Sequence, residues 1–371
     1  MVKPIYLDFN STSPILPEVI EKVTETMNVM GNPSSVHKAG REAHSIVEEA
    51  RSQVAALIGA RSRDIVFTSG GTEANNAVLR STGPKSLIIS TIEHDCTIAA
   101  SKASGLDVKN LHVDEQGCVN LDMLKTLLEK AEKPVLVSIM LANNEMGAIQ
   151  NISSAAKIAG EYGARIHCDA VQAAGKITID FASLGVDYLT LSAHKIGGPQ
   201  GVGAIVLTPT APLNALIVGG GQELGRRSGT ENVAGVAGFG VAALAALTSV
   251  TEYARIQTRR DRMEAEIATY ANDVILAGKN TRRLPNTSCI VMPGMKGETQ
   301  VMHFDLNGIC ISSGSACSSG KVKISHVMTA MGLNEELANC SIRVSLGLST
   351  TDKEINIFIQ AWKTLYDRVK R

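Results

Sequence analysis

The chain has no surplus of charge of either sign: Lys+Arg and Asp+Glu number 36 each. That balance draws it neither toward nucleic acid nor toward an anionic membrane, and neither is expected as a partner. The opening MVKPIYLDFN lacks the apolar core of an export signal and the Arg-rich amphipathic character of a transit segment, so a cytoplasmic location is expected. No run of about 18 apolar residues suited to crossing a bilayer is read. Paired cysteines are missing as well. Cys96, Cys118, Cys168, Cys289, Cys310, Cys317 and Cys340 are scattered, with no CxxC and no Cys/His metal spacing. This argues against a disulfide framework and for a reduced chain with mostly buried thiols and no metal. Internal repeats, low-complexity tracts and charge blocks are also absent.

With 371 residues the chain exceeds the usual size of a single core, and 44% hydrophobic against 19% charged residues is an ordinary globular balance. From about residue 35 to 250, short apolar runs alternate with helical patterns. Residues 65–67, 86–90, 135–141, 166–169, 188–192 and 203–207 read as buried strands, and 36–58 and 121–130 as helices, the first ended by Gly59. That alternation predicts an α/β domain with a largely parallel sheet. Near 247–252 the pattern changes. A charged amphipathic helix over 252–270, strands at 288–292, 308–312 and 342–346, and a closing helix from Thr351 through Trp362 predict a smaller α+β domain. The expected division is 1–14, an N-terminal segment packing with the small domain; 15–250, the large domain; and 251–371, the small domain.

The chemistry-bearing residues cluster just after predicted strands, where open α/β sheets bind ligands. In FTSGGTEANN (67–76) a strand ends, two glycines turn, and a helix begins. Free N–H groups around Gly71 and Thr72 suit a phosphate; the alternative is a plain glycine turn capped by Thr72. In SAHK (192–195), Lys195 stands at the mouth of a buried strand, where desolvation can free its amine to condense with an aldehyde. Ser192 and His194 can add phosphate contacts; the alternative is a surface-loop lysine. In HCDAVQ (167–172), Asp169 ends an apolar strand and needs a cation, such as a protonated pyridine nitrogen, unless it simply caps a helix. Gln172 can reach the ring's phenolic oxygen. His94, in EHD, can stack on a ring or shuttle protons, although a lone histidine is commonly structural. Cys317 lies in SSGSACSSG, a small, polar stretch that reads as an exposed loop, with Lys321 and Lys323 just beyond, which favours a reactive thiolate; the alternative is a loop cysteine without a role. Asn144, in NNEMG, follows a strand. Arg343, in SIRVS, sits inside one, where it requires either a structural salt bridge or a bound anion such as a substrate carboxylate.

Together these segments resemble the cysteine desulfurases, a branch of the aminotransferase-like (fold type I) pyridoxal-phosphate enzymes. The resemblance runs in order through YLDFN (6–10), NPSSVH (32–37), TSGGTEANN, EHD, NNEMG, HCDAVQ, SAHK, GGGQELGRRSGTEN (219–232), SSGSAC and SIRVSLG. It implies that Lys195 carries pyridoxal 5'-phosphate and later shuttles the substrate proton. It further implies that Asp169 pairs with the ring nitrogen, Gln172 with the phenolic oxygen, that His94 stacks on the ring, and that Gly71, Thr72, Ser192 and His194 hold the phosphate. Thr230 would reach the phosphate of a neighbouring subunit, which implies a homodimer. Asn144 and Arg343 would orient the carboxylate of L-cysteine. Cys317 would take the sulfur as a persulfide and pass it to an acceptor protein such as an iron–sulfur scaffold. SSGSAC resembles the nitrogen-fixation and iron–sulfur-assembly group. Two departures stand out: Leu224 where the family commonly has arginine, and Lys321–Met328 where it often has an acidic-proline stretch. Transamination or selenocysteine lysis on the same scaffold, and a non-catalytic binding scaffold, are the competing readings. Cys317 speaks against simple transamination, and Lys195, Asp169 and Cys317 together speak against a scaffold without catalysis.

Overall fold

A computed structural model describes residues 4–314 and 324–370. The short strand β1 (Ile5–Tyr6) opens the chain. Seven strands then build one sheet: β2 (Ile65–Thr68), β3 (Ser86–Ser90), β4 (Asp107–Leu111), β5 (Val135–Ser138), β6 (Arg165–Asp169), β7 (Tyr188–Ser192) and β8 (Gly203–Leu207). Their spatial order is β2-β8-β7-β6-β5-β3-β4. Only β8 runs antiparallel to its neighbours; the other pairings are parallel. Strands β2, β3, β5, β7 and β8 are buried at every position, as a sheet covered on both faces requires. The fold is thus α/β with a mixed, mostly parallel sheet, as the sequence predicts. The edge strand β4, DVKNL, is largely solvent-facing and was not anticipated.

The helix Lys38–Leu57 shows how the cover forms. Ala43, Val47, Ala50 and Val54 recur at helical spacing and are all buried. His37 accepts from Gly40 N–H at its start, and Gly59 follows its end at φ +64°, a conformation that favours glycine. The helix Val233–Ser249 packs on it. Here the reading of no long apolar run needs correction: the continuous helical stretch Val233–Tyr270 contains a window long and apolar enough to cross a bilayer. Half of that window is buried inside the fold. Its small residues have a packing role, because a Cβ on Gly240 would lie 2.2 Å from Gln53 Oε1 and 2.8 Å from Ala50 Cα.

The later strands are β9 (Ile275–Leu276), β10 (Thr287–Val291), β11 (Ile309–Cys310), β12 (Ser312–Ser313) and β13 (Ser341–Ser345). A second, antiparallel sheet has the order β12-β13-β10-β9. The run expected as one strand over 308–312 is split. Residues Ile309–Cys310 pair in parallel with β1, while Ser312–Ser313 pair with β13. The helix Asp352–Val369 closes the chain with a capping box between Thr351 and Glu354, and buries Ile355, Phe358, Ile359 and Trp362 on this sheet. A separate apolar cluster joins Ile92, Met140 and Met146 beside the large sheet to Cys289, Val291 and Met328, bringing the two sheets together beside the site described next.

Candidate active site

The C-terminal ends of β2, β6 and β7, together with segments between and beyond them, surround a cavity of about 360 Å³. Gly71, Thr72, His94, Asn144, Asp169 and Gln172 line it. So do Ser192, His194, Lys195 and Arg343. Clefts of about 710 and 750 Å³ elsewhere are larger but hold none of these residues, so chemistry rather than volume selects the site.

At one end, β2 stops at Thr68 and Gly70 turns at φ +149° into the helix Gly71–Ser81. A side chain at position 203 is excluded here, since its Cβ would lie 2.6 Å from the Gly70 carbonyl carbon. The first backbone bond at the helix start runs from Ala74 N–H to the Gly70 carbonyl, so the N–H groups of Gly71, Thr72 and Glu73 precede the ladder. Glu73 turns back to accept from Ser69 N–H at 2.8 Å and pairs with Arg227 at 2.9 Å. Burial alone would raise the Glu73 carboxyl, but the hydrogen bonds from Arg227 and Ser69 outweigh it and hold the group below its ordinary value. Beside this turn, Ser192 closes β7, its Cβ 3.6 Å from where a Cβ on Gly71 would lie, and Ala193–Lys195 form a single 3-10 turn. His194 Nδ1 lies 3.1 Å from Thr12 Oγ1; burial, assisted by Lys195, pushes its imidazole down to about 4.

Lys195 Nζ donates to the carbonyls of Asn10 and Ser11 at 2.7 and 2.6 Å. Asp169 is 5% exposed; its Oδ2 accepts from Asn75 Nδ2 at 2.7 Å and its Oδ1 from Val171 N–H at 2.9 Å. Asn75 is held by Thr190 Oγ1, which donates to its Oδ1 at 2.6 Å. Directly beneath, His167 bonds Ser138 and Thr190, and burial holds its imidazole at about 4. His94 caps the helix Asp95–Ala103, and its Nδ1 accepts from Cys96 N–H at 3.2 Å with Cys96 Sγ 3.0 Å away. Beside it, Glu93 is fully buried; burial, and then the nearby Asp169, push its carboxyl well above the usual range.

The other end is built by NNEMG and β13. The Asn143 side chain is the scaffold of the turn, accepting from Glu145 and Met146 N–H groups and donating to the Ile92 carbonyl. Gly147 turns at φ +82°, where a Cβ would meet Thr287 at 2.9 Å. This turn presents Asn144. Arg343, 1% exposed, pairs with Asp8 at 2.8 Å and donates to the Asn144 carbonyl at 3.2 Å, while its Nε has no partner among the described residues. Of the two sequence alternatives for Arg343, the salt bridge is present, and the side chain also lines the cavity.

Ten of the twelve expected residues thus line one cavity. Thr230 does not; it is exposed, on the loop after Ser228. Cys317 lies outside the described residues. The chain on either side is anchored at the cavity's edge: Gly314 packs where a Cβ would be 3.0 Å from Glu145 Oε2, Ser325 Oγ donates to Glu145 at 2.5 Å, and His326 Nε2 donates to the Glu93 carbonyl at 2.9 Å. Residues without an assigned part in the sequence reading also converge here. Asn10, 1% exposed, accepts on its carbonyl from Gln172 and Lys195 and donates its amide to Asn144 O and Thr287 Oγ1. Asn10 ends YLDFN and Asn75 lies in TSGGTEANN, and membership of those motifs is the sequence signal for them.

The sequence profile of the class-V aminotransferases matches residues 5–358. The chain is 41% identical to the cysteine desulfurase IscS of Dictyoglomus turgidum, covering 100% of this chain and 96% of that protein. It is 40% identical to a cysteine desulfurase of Trichormus azollae, with 99% and 94% covered. Among solved structures, a NifS-like protein from Rickettsia africae superposes with a TM-score of 0.91 at 39% identity, over 98% of this chain and 99% of that one.

Proposed function

The chain belongs to the class-V aminotransferase family, and from that premise we propose that it is a pyridoxal-phosphate-dependent cysteine desulfurase. It converts L-cysteine to L-alanine and places the sulfur on Cys317 as a persulfide, for transfer to an acceptor such as an iron–sulfur scaffold protein.

The observation that carries this reading is the Asp169 carboxylate. It is buried on the cavity wall and held by the neutral donors Asn75 and Val171 N–H. A buried carboxylate is stabilised by a cation, and a protonated pyridine nitrogen entering the cavity is one. The rest of the cavity fits the same molecule. The N–H groups of Gly71 and Thr72, with Ser192 and His194 beside them, form a phosphate cradle at a helix start. Lys195 offers the amine, Gln172 an amide for the phenolic oxygen, and His94 an imidazole to stack on the ring. When bound, pyridoxal phosphate supplies the electron sink that makes the Cα–H and Cβ–Sγ bonds of cysteine labile.

The chain's own residues do the rest. Arg343 and Asn144 orient the substrate carboxylate from the far end of the cavity. Lys195 takes the Cα proton and returns one during conversion to alanine. The Cys317 thiolate attacks the substrate sulfur: the Cβ–S bond breaks, an S–S bond forms, and Cβ takes up a proton to become a methyl group. The two sulfurs of the persulfide are oxidised as the carbon skeleton is reduced, so no external redox agent is needed.

We extend the reading to a homodimer in which Thr230 completes the neighbouring phosphate site. Val218 and Leu224, each 82% exposed, lie near Thr230 in the chain, and large exposed apolar side chains there suit a surface covered by a partner. The six described cysteines are all unpaired, which suits a reducing cytoplasm. Mass spectrometry of the protein after cysteine treatment tests the central claim: sulfur should be added to the Cys317 peptide, and borohydride should fix the cofactor on the Lys195 peptide. Sulfide release undiminished in Cys317→Ser, or a reducible cofactor retained in Lys195→Ala, overturns it.

A further inference from the structure

The reaction just described leaves one buried amine unused. Lys176 follows Gln172 by four residues and is 3% exposed. Its Nζ donates to Gln172 Oε1 and to Asn10 Oδ1, both at 2.9 Å. Burial, then the cations Lys195 and Arg343, push this amine well below the ordinary lysine value. Charged or neutral, a lysine amine retains the two N–H donors that these contacts use.

A side-chain amide has two faces of opposite character, and its neighbours decide which one is presented. Gln172 Nε2 donates to the Asn10 carbonyl at 2.8 Å, while Oε1 is turned to Lys176. Asn10 is oriented in the same sense, with Oδ1 toward Lys176 and Asn286 and Nδ2 toward Asn144 O and Thr287 Oγ1. Gln172 lines the cofactor cavity and Lys176 stands behind it. We infer that Lys176 is a positioning residue: it anchors the oxygen of the Gln172 amide so that an N–H, not a carbonyl, meets the phenolic oxygen of the cofactor ring. The inference rests on the cofactor-contacting role proposed for Gln172.

A donor at that oxygen favours its ionised form, and a carbonyl opposes it. Loss of Lys176 leaves the amide held only through its Nε2 contact with the Asn10 carbonyl, loosens the N–H presented to the ring, and raises the pH at which the bound chromophore ionises. Lys176→Met suits the test, because Asn10 Oδ1 keeps Asn286 Nδ2 at 3.1 Å while Gln172 Oε1 loses the Lys176 donor. The other charged or titratable groups facing the site are Lys195, Arg343, Asp169, His94, His194, Cys96 and Glu93; they are common to all variants compared.

The experiment is a pH titration of the visible absorbance of holoenzyme, matched for cofactor content, in wild type, Lys176→Met, Gln172→Leu and the double variant. Each single change is expected to raise the apparent pKa by about one unit, and the double variant no further than Gln172→Leu alone. An unmoved Lys176→Met beside a shifted Gln172→Leu overturns the inference and leaves the Gln172 reading intact. Additive shifts overturn it too, since Lys176 would then act by another route. An unmoved Gln172→Leu overturns the Gln172 reading and this inference with it. If Lys176→Met does not accumulate folded, Lys176→Leu, which likewise has no donor for Gln172 Oε1, is judged by the same outcomes.

Discussion

Glu223→Ala is the substitution whose consequence follows most directly from the packing. Glu223 sits in the loop 219–232 that carries Thr230, and its side chain is 3% exposed against 11% for Arg51. The pair is bidentate, Nη1–Oε2 at 2.7 Å and Nη2–Oε1 at 2.9 Å, and Oε2 also accepts from Phe67 N–H at 3.0 Å. One carboxylate therefore ties the loop both to the helix Lys38–Leu57 and to the strand that leads into the Gly70–Gly71 turn. Breaking a buried pair from one side costs about 3–5 kcal/mol. Arg51 keeps Glu48 at 2.9 Å and the Ile65 carbonyl at 3.1 Å, which places the loss at the lower end, about 3 kcal/mol. Backbone strain offers no relief: Glu223 and Leu224 adopt φ of +49° and +58°, and alanine tolerates that region no better than glutamate. With unfolding entropy of about 2.1 cal/mol/K per residue, the Tm of this 371-residue chain should fall by about 4 °C. Differential scanning calorimetry of the cofactor-free protein reads this, and a double-mutant cycle with Arg51→Met isolates the pair. A coupling energy of at least about 2 kcal/mol is expected. A Tm drop below about 1 °C, or strict additivity in the cycle, refutes the argument that this carboxylate secures the loop.

Three further outcomes are expected. Asn75→Leu removes the Asp169 donor at 2.7 Å and the Asn75 Oδ1 contact of Thr190 at 2.6 Å, so cofactor affinity measured by fluorescence titration should fall about tenfold, with no change if Asn75 is incidental. Asp8→Asn takes the charged partner from Arg343, and the KM for cysteine should rise about fivefold with kcat less affected; equal losses in both parameters would contradict a binding role. His167 is held at about 4 by burial, whereas an unfolded histidine binds its proton near 6.5. The unfolded chain binds more protons in that interval, so stability must fall as pH drops from 6.5 toward 4, by about 3 kcal/mol in all. Urea unfolding of the cofactor-free protein should show this component, and its persistence in His167→Gln would show that His167 is not its source.

Most strand cores and the order of the site motifs were legible in the linear pattern, because alternation of buried strands with amphipathic helices and the residue types at strand ends are local properties. The same locality explains the errors. Asp107–Leu111 escaped notice because an edge strand needs no continuous apolar run. Residues 308–312 read as one strand, yet β11 and β12 join different sheets, a choice made by partners distant in the chain. The apolar run from Val233 was overlooked as a run, and its burial against Ala50 and Gln53 depends on a helix almost two hundred residues earlier.

The linear pattern is enough for the α/β class, the order of the motifs, and the places where an amine, a carboxylate, a thiol or a glycine turn at a helix start stand. Only the tertiary structure decided how those groups are held. Asn10 links Lys195 and Gln172 to Thr287 on the second sheet and to Asn286 just before it, Asn75 braces Asp169 from the helix Gly71–Ser81, and Arg343 divides its donors between Asp8 and Asn144. A motif specifies what a side chain can donate or accept. Whether that capacity meets a partner, water or a ligand is decided where segments far apart in the chain are buried together, because burial makes every unmatched polar group costly.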